Sequence, residues 1–172
     1  MSGNVKVIVI TGTMGAGKTT VMAEAADLLT VAGVINAAID FDALGIAHLT
    51  QEPSRDLAYR NLASVWSNYR TAGVRRLIIA AAVESQADMD HIFNSIPDSD
   101  EFIVCRLKVG LVTAQQRVRT REPGMLQEDL VARISELEKI LDETKLEDFY
   151  IQNDNAQVTE VARQILRGAK WI

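Results

Sequence analysis

The chain has 172 residues, 48% of them hydrophobic, with 18 Lys+Arg against 23 Asp+Glu and a net charge of −5. That length and apolar content suit one globular domain over residues 1–172 and exclude a disordered chain. The acidic balance argues against a nucleic-acid or membrane-surface partner, and the lone Cys105 excludes an internal disulfide. No apolar run is long enough to span a bilayer and no secretion signal is seen, so the cytoplasm is the expected location.

The first predicted element is a buried strand, Val5, Val7, Ile8, Val9 and Ile10, β-branched and apolar. It breaks at Gly12, and Gly12-x4-Gly17-Lys18-Thr19 follows. That spacing is a phosphate-binding loop: glycines turn backbone N–H groups toward one anion, Lys18 meets the outer phosphates, and Thr19 offers a hydroxyl to Mg²⁺. The predicted nucleotide-binding residues are Gly12, Thr13, Met14, Gly15, Ala16, Gly17, Lys18, Thr19 and Thr20. A helix starting near Lys18 points its positive end at the same spot and stops at Gly33.

Val34–Asp40 reads as a second strand ending in Asp40-Phe41-Asp42. The stretch with Gly45, His48 and Pro53 has no firm assignment. A helix is predicted from about Arg55 to Ala72, a third strand over Arg76–Val83, and a helix capped by Ser85 through Ile96. Pro97–Asp100 reads as a turn and Phe102–Leu107 as a fourth strand. An arginine-rich helix follows from about Leu111 to Arg121, stopped by Pro123-Gly124. A longer helix covers about Leu126–Asp142, and its apolar face suits core or dimer contact, leaving monomer and homodimer both open. Phe149–Ile151 is a fifth strand before Asn153-Asp154-Asn155, and a last helix carries Val158, Val161, Ala162, Ile165 and Leu166.

Strands alternating with helices predict an α/β, three-layer P-loop NTPase fold: a five-stranded, mostly parallel sheet with helices on both faces. Ligands in such sheets bind at the carboxyl ends of the strands, where Asp40, Asp42, Glu84 and Asn153 fall. If the second strand persists, alternation sends Asp40 and Asp42 to one face. Asp40 is assigned to the metal side and Asp42 to accepting the proton of an attacking hydroxyl. Glu84 has the place of a water-positioning, metal-side or substrate group. Arg117 and Arg121, four apart, share a helix face that suits a clamp on the transferring phosphate or a stack on the base, in a lid segment of about 109–125. Arg55 and Arg60, with Asn61, are candidates to reach a substrate anion.

Gly12–Thr19, Asp40-x-Asp42 and Arg117-x3-Arg121 together resemble the small P-loop kinases that phosphorylate metabolites: gluconate, shikimate and adenylyl-sulfate kinases and chloramphenicol phosphotransferases. Asp40-Phe41-Asp42 is similar to the Asp-x-Asp of shikimate kinases and the Asp-Gly-Asp of adenylyl-sulfate kinases. Arg117 through Leu137-Glu138 is similar to the gluconate-kinase lid. Asn153-Asp154 stands where such kinases often form the adenine pocket. The resemblance implies ATP with Mg²⁺ and a small-molecule phosphoryl acceptor, with Lys18, Asp42, Arg117 and Arg121 as catalytic groups. It leaves the acceptor open. Pro123, Gly124 and Met125 replace the histidine and phenylalanine of gluconate kinases. Ala81, Ala82 and Val83 replace the glycine triplet of shikimate kinases, and Ala82-Val83-Glu84-Ser85 the Phe-Ile-Ser-Pro-type segment of adenylyl-sulfate kinases. Two alternatives stay open: a nucleoside or nucleotide kinase, and an ATP-binding switch or accessory protein. The absence of an Asn-Lys-x-Asp guanine signature lowers a GTPase reading.

Overall fold

The computed structural model describes residues 4–172. Strand β1 (Val5–Thr11) leads to α1 (Lys18–Val31), β2 (Asn36–Asp40), α2 (Ser54–Thr71), β3 (Arg76–Ala80) and α3 (Gln86–Asn94). Then come β4 (Ser99–Lys108), α4 (Leu111–Arg121), α5 (Gln127–Thr144), β5 (Phe149–Gln152) and α6 (Val158–Gly168), and a 3-10 turn covers Asp42–Gly45 after β2. The five strands lie in the order β2-β3-β1-β4-β5, and every pairing is parallel. Parallel neighbours need crossovers, which the intervening helices supply.

The central strands are apolar without interruption because both faces are covered. On β1, Ile8 and Ile10 face the core layer shared with α1, α4, α5 and α6. Val5, Val7 and Val9 face the layer shared with α2 and α3. Strand β3 splits the same way, Ile78 and Ala80 against Leu77 and Ile79. Each fully buried Ile or Leu contributes about 1.5–3 kcal/mol relative to exposure.

Local chemistry moves several boundaries from their sequence expectation. Strand β2 starts at Asn36 rather than Val34, because Val34 N–H closes the turn after α1 on Leu29 O at 2.9 Å. Strand β3 stops at Ala80 rather than Val83: Ala81 N–H still reaches Ile10 O, but Val83 N–H is taken by the Thr11 hydroxyl at 3.1 Å. Strand β4 begins at Ser99, inside the expected turn, where Asp100 Oδ2 accepts from Val5 N–H at 2.7 Å. Ser85 does cap α3, in a capping box with Asp88.

One buried charge sits inside this frame. Arg106 on β4 has no exposed surface and meets Glu138 at 2.6 Å, Asp142 at 2.9 Å and Glu147 at 3.6 Å. It fastens the second half of α5 to the sheet. Removing one partner of such a buried set is costly because the remaining charge is stranded.

Candidate functional site

The loop after β1 is built by backbone conformations that side chains resist. Gly12 has φ +147°, and a Cβ there would lie 2.6 Å from Leu107 O. Gly15 has φ +76°, and its Cβ would lie 2.5 Å from Ala114 O. The loop therefore nests between β4 and α4 with no room for a methyl group. Thr13 and Ala16 are buried, Met14 packs against the core, and Thr20 lies on the exposed side of α1. Gly17 caps α1 without a side-chain acceptor, so the first-turn amides keep their donors for an anion.

Lys18 Nζ donates to Gly12 O at 3.0 Å and Thr13 O at 2.9 Å, folding the ammonium back over the loop. Burial lowers its pKa to about 8, against the pull of Asp42 and Asp40 and with the push of Arg121. Thr19 Oγ1 donates to Asp40 Oδ2 at 2.8 Å, and Asp40 Oδ1 accepts from Asp42 N–H at 3.2 Å. The expectation that strand alternation aligns Asp40 and Asp42 needs correction: β2 ends at Asp40, and Asp42 opens the 3-10 turn. The turn, not the pleat, sets Asp42. Its carboxyl is open to solvent on one side, yet surrounding protein raises its pKa. Lys18 opposes that rise, Asp40 adds to it, and Arg55 opposes it.

Thr19 and Asp40 are adjacent hard oxygen donors, the set that suits Mg²⁺ shared with phosphate oxygens. No group of three or more His, Cys, Asp or Glu side chains placed to hold a metal ion exists among the described residues. A Mg²⁺ bound mostly by nucleotide and water fits that pair; a transition-metal cage does not.

Beside the loop lies a cavity of about 470 Å³ reached by Gly15, Thr20, Arg117, Arg121, Asn153 and Val158. Arg117 and Arg121 do share it, but their states differ. Arg117 donates to Gly15 O at 3.2 Å and to Asp154 O at 2.7 Å, tying α4 to the phosphate loop and to the loop after β5. Among the described residues, Arg121 meets only its neighbour Glu122, at 3.0 Å, and stays exposed. Asn153 is buried and donates to Ala16 O at 2.7 Å. It braces the phosphate loop from below. Of the segment expected as a lid, Ala114 and Val118 of α4 are buried, while Leu111, Val112, Gln116, Arg119, Thr120 and Arg121 are exposed, as is most of the turn that follows.

The other predicted groups have partners of their own. Arg60 holds Glu52 through two hydrogen bonds of 2.7 Å on the surface, and Asn61 donates to Leu44 O. Glu84 is engaged by Arg133 of α5 at 2.7 Å, a partner that sequence reading missed. The two lie 49 positions apart, and nothing in the local pattern joins them. Arg55 proves more central than Arg60. Its Nε donates to Tyr59 Oη and Asp88 Oδ1, both at 3.1 Å, and Nη2 donates to Ala82 O at 2.8 Å. It lies over the Phe41 ring at 5.5 Å, and with Asp42 and Ser54 it lines a smaller cavity of about 120 Å³.

Solved structures share this arrangement over almost the full chain. A shikimate kinase from Acinetobacter baumannii in complex with shikimate matches with TM-score 0.65 and 21% identity, covering 97% of this chain and 94% of that one. The tunicamycin resistance protein of Deinococcus radiodurans matches with TM-score 0.67 and 15% identity, covering 96% of each. The APS kinase of Mycobacterium tuberculosis, in complex with AMPPNP and APS, matches with TM-score 0.62 and 16% identity over 97% of this chain and 98% of that one. The chain has the P-loop kinase fold. No protein-family model matches the sequence, and no curated protein does. Within the P-loop kinase fold, the glycine loop and Asp40-Phe41-Asp42 occupy the carboxyl end of the sheet, and no helix among the described residues is long and apolar enough to cross a membrane.

Proposed function

We propose that the chain is an ATP-dependent phosphotransferase that moves the terminal phosphate of Mg-ATP to a hydroxyl or phosphate group of a small metabolite. The observation that carries this reading is the convergence of Lys18, Thr19, Asp40 and Asp42 at one loop mouth, with Thr19 and Asp40 already in contact at 2.8 Å. Backbone amides of residues 12–19 hold the phosphate chain, and Lys18 swings from Gly12 O and Thr13 O onto the outer phosphates. Thr19 and Asp40 would hold Mg²⁺, which would neutralise phosphate charge. Asp42 takes the proton of the acceptor oxygen as that oxygen bonds to the terminal phosphorus. The bond from that phosphorus to the bridging oxygen breaks, and ADP leaves with the electron pair. Arg121, exposed and held only by its neighbour, is the guanidinium that reaches the transferring group. Arg117, spent on two carbonyls, orients the loop and offers its face to the base.

The chain is read as a cytoplasmic protein of one domain over residues 1–172. Its P-loop kinase neighbours make shikimate and APS the first acceptors to test. ADP release from Mg-ATP is measured with a panel of hydroxyl-bearing and phosphorylated metabolites, nucleosides included. The expected result is a rise with one acceptor class, abolished in Asp42→Asn while ATP binding persists. ATP binding with no acceptor-dependent rise across the panel would favour the switch reading instead.

A further inference from the structure

A second hollow lies at the far end of the sheet from the phosphate loop. It measures about 340 Å³ and sits between the last turns of α2, the end of α3 and the turn into β4, with Trp66, Arg70, Asn94, Pro97 and Asp98 among its walls. Asp98 precedes Ser99, which pairs with Val5 at the start of β1, whereas the phosphate loop follows Thr11 at the end of that strand. The hollow shares no lining residue with the two cavities beside the loop. Its volume falls within the range of small-ligand sites, about 300–1,000 Å³.

The walls are fixed from within. The buried Trp66 indole donates to Asp98 Oδ1 at 2.8 Å, and Arg70 Nε donates to Asp98 Oδ2. Ser95, also on the wall, spends its hydroxyl on Tyr59 O and His91 O. Arg70 is not so spent. Among the described residues its side chain bonds through Nε alone, whereas Arg60 on the same helix commits both Nη groups to Glu52. Each Asp98 oxygen accepts one bond and keeps capacity for a second. One cation and one anion thus stand side by side on the wall, with Ala63 and Pro97 beside them. A polyanion meets the Asp98 charge there and a bare cation meets Arg70. A molecule with both signs on neighbouring atoms is opposed by neither.

We infer that this hollow is a second small-molecule site and takes a zwitterion, an α-amino acid with an apolar side chain, its carboxylate on the Arg70 Nη pair and its ammonium on Asp98. A guanidinium held by Nε offers its two other nitrogens as a planar fork to a carboxylate. Arg70 is already pinned, so little rotamer freedom is lost on binding. The site stands apart from the phosphotransferase reading and takes its ligand whether or not nucleotide is bound.

Leucine, methionine and phenylalanine are titrated in turn into the full-length protein, with and without Mg-AMPPNP, while the two tryptophan indole N–H signals are followed by NMR. At least one amino acid is expected to shift Trp66 saturably, because its N–H rests on Asp98, and to leave Trp171, which packs in the other core layer, unmoved. The analogues of that amino acid lacking the carboxylate or the ammonium (for phenylalanine, phenethylamine and 3-phenylpropanoate) are expected to bind the wild-type protein about tenfold more weakly. Arg70→Gln is expected to weaken the amino acid by about the same factor. No Trp66 shift with any of the three, an analogue as tight as its parent, displacement by Mg-AMPPNP, or unchanged affinity in a folded Arg70→Gln would each overturn the inference. The analogue comparison decides it if that variant does not fold.

Discussion

The two sides of the phosphate loop are built differently. On the nucleotide side, buried or carbonyl-directed contacts brace the loop: Asn153 on Ala16 O, Arg117 on Gly15 O and Asp154 O, and backbone packing that leaves no space for a Cβ at Gly12 or Gly15. On the side of Asp42, Arg55 is held by Tyr59, Asp88 and Ala82 O, but Glu84–Arg133 and Glu52–Arg60 are ion pairs between part-exposed side chains, and residues 46–51 carry no regular structure and are exposed. Packing against backbone tolerates little change, whereas hydrated ion pairs are exchanged at small cost. The first side therefore suits a ligand that never varies, and the second a ligand that does.

Each of the following substitutions or conditions strains that contrast, the severest first. Lys18→Met is expected to lower the acceptor-dependent rate by about 10³ while leaving the fold intact, because it removes the cation that meets developing charge; turnover and circular dichroism check both halves. Gly12→Ala is expected to cost about 3 kcal/mol in urea unfolding, since positive φ and the Leu107 carbonyl both oppose the methyl group. Normal stability in that variant would mean the nucleotide side is softer than described. Asn153→Ala is expected to cost about 1–2 kcal/mol, because the buried Ala16 carbonyl loses its partner, and to weaken ATP binding in calorimetry.

The pH dependence follows from Lys18. Its pKa of about 8 in the free protein lies below the ordinary 10.5, and a bound triphosphate pulls it back up. Binding above pH 8 therefore takes up a proton, and ATP affinity falls with rising pH, by up to about tenfold per unit. Calorimetry at pH 8.5 in buffers of different ionisation heat measures that uptake; zero uptake would remove Lys18 from the binding step. The sign for stability is opposite. Below pH 8 the buried ammonium is charged and costs stability, and the cost fades as pH rises from 8 toward 10.5. The mildest test is Glu52→Gln on the acceptor side, expected to leave the unfolding midpoint and ATP affinity where they are.

What could be read from the sequence was local. Gly12-x4-Gly17-Lys18-Thr19 declares itself because backbone conformation, cation and hydroxyl fall within eight positions, and Asp40-Phe41-Asp42 because a strand end is a local event. The alternation of strands and helices carried the sheet for the same reason. The Glu84–Arg133 contact could not be read, since it spans 49 positions and leaves no periodic trace. Asn153 was placed by its strand end, but its amide turns under the loop, which only the packing of β5 beside β4 decides. Arg60 and Arg55 sit on one helix and look alike as letters. Asp88, 33 positions beyond Arg55, is what separates them. Arg106 was hidden by its apolar neighbours; the clue was a charge inside a strand-like run, with Glu138 and Asp142 one helical turn apart.

Arg106 also limits how this chain can drift over generations. Replacing the arginine alone leaves three neighbouring carboxylates without their shared cation, and replacing one carboxylate leaves a buried guanidinium less well neutralised. Intermediate sequences are penalised in either direction. A wholly apolar set at the four positions would escape both penalties, while the exposed ion pairs beyond Asp42 change singly at small cost.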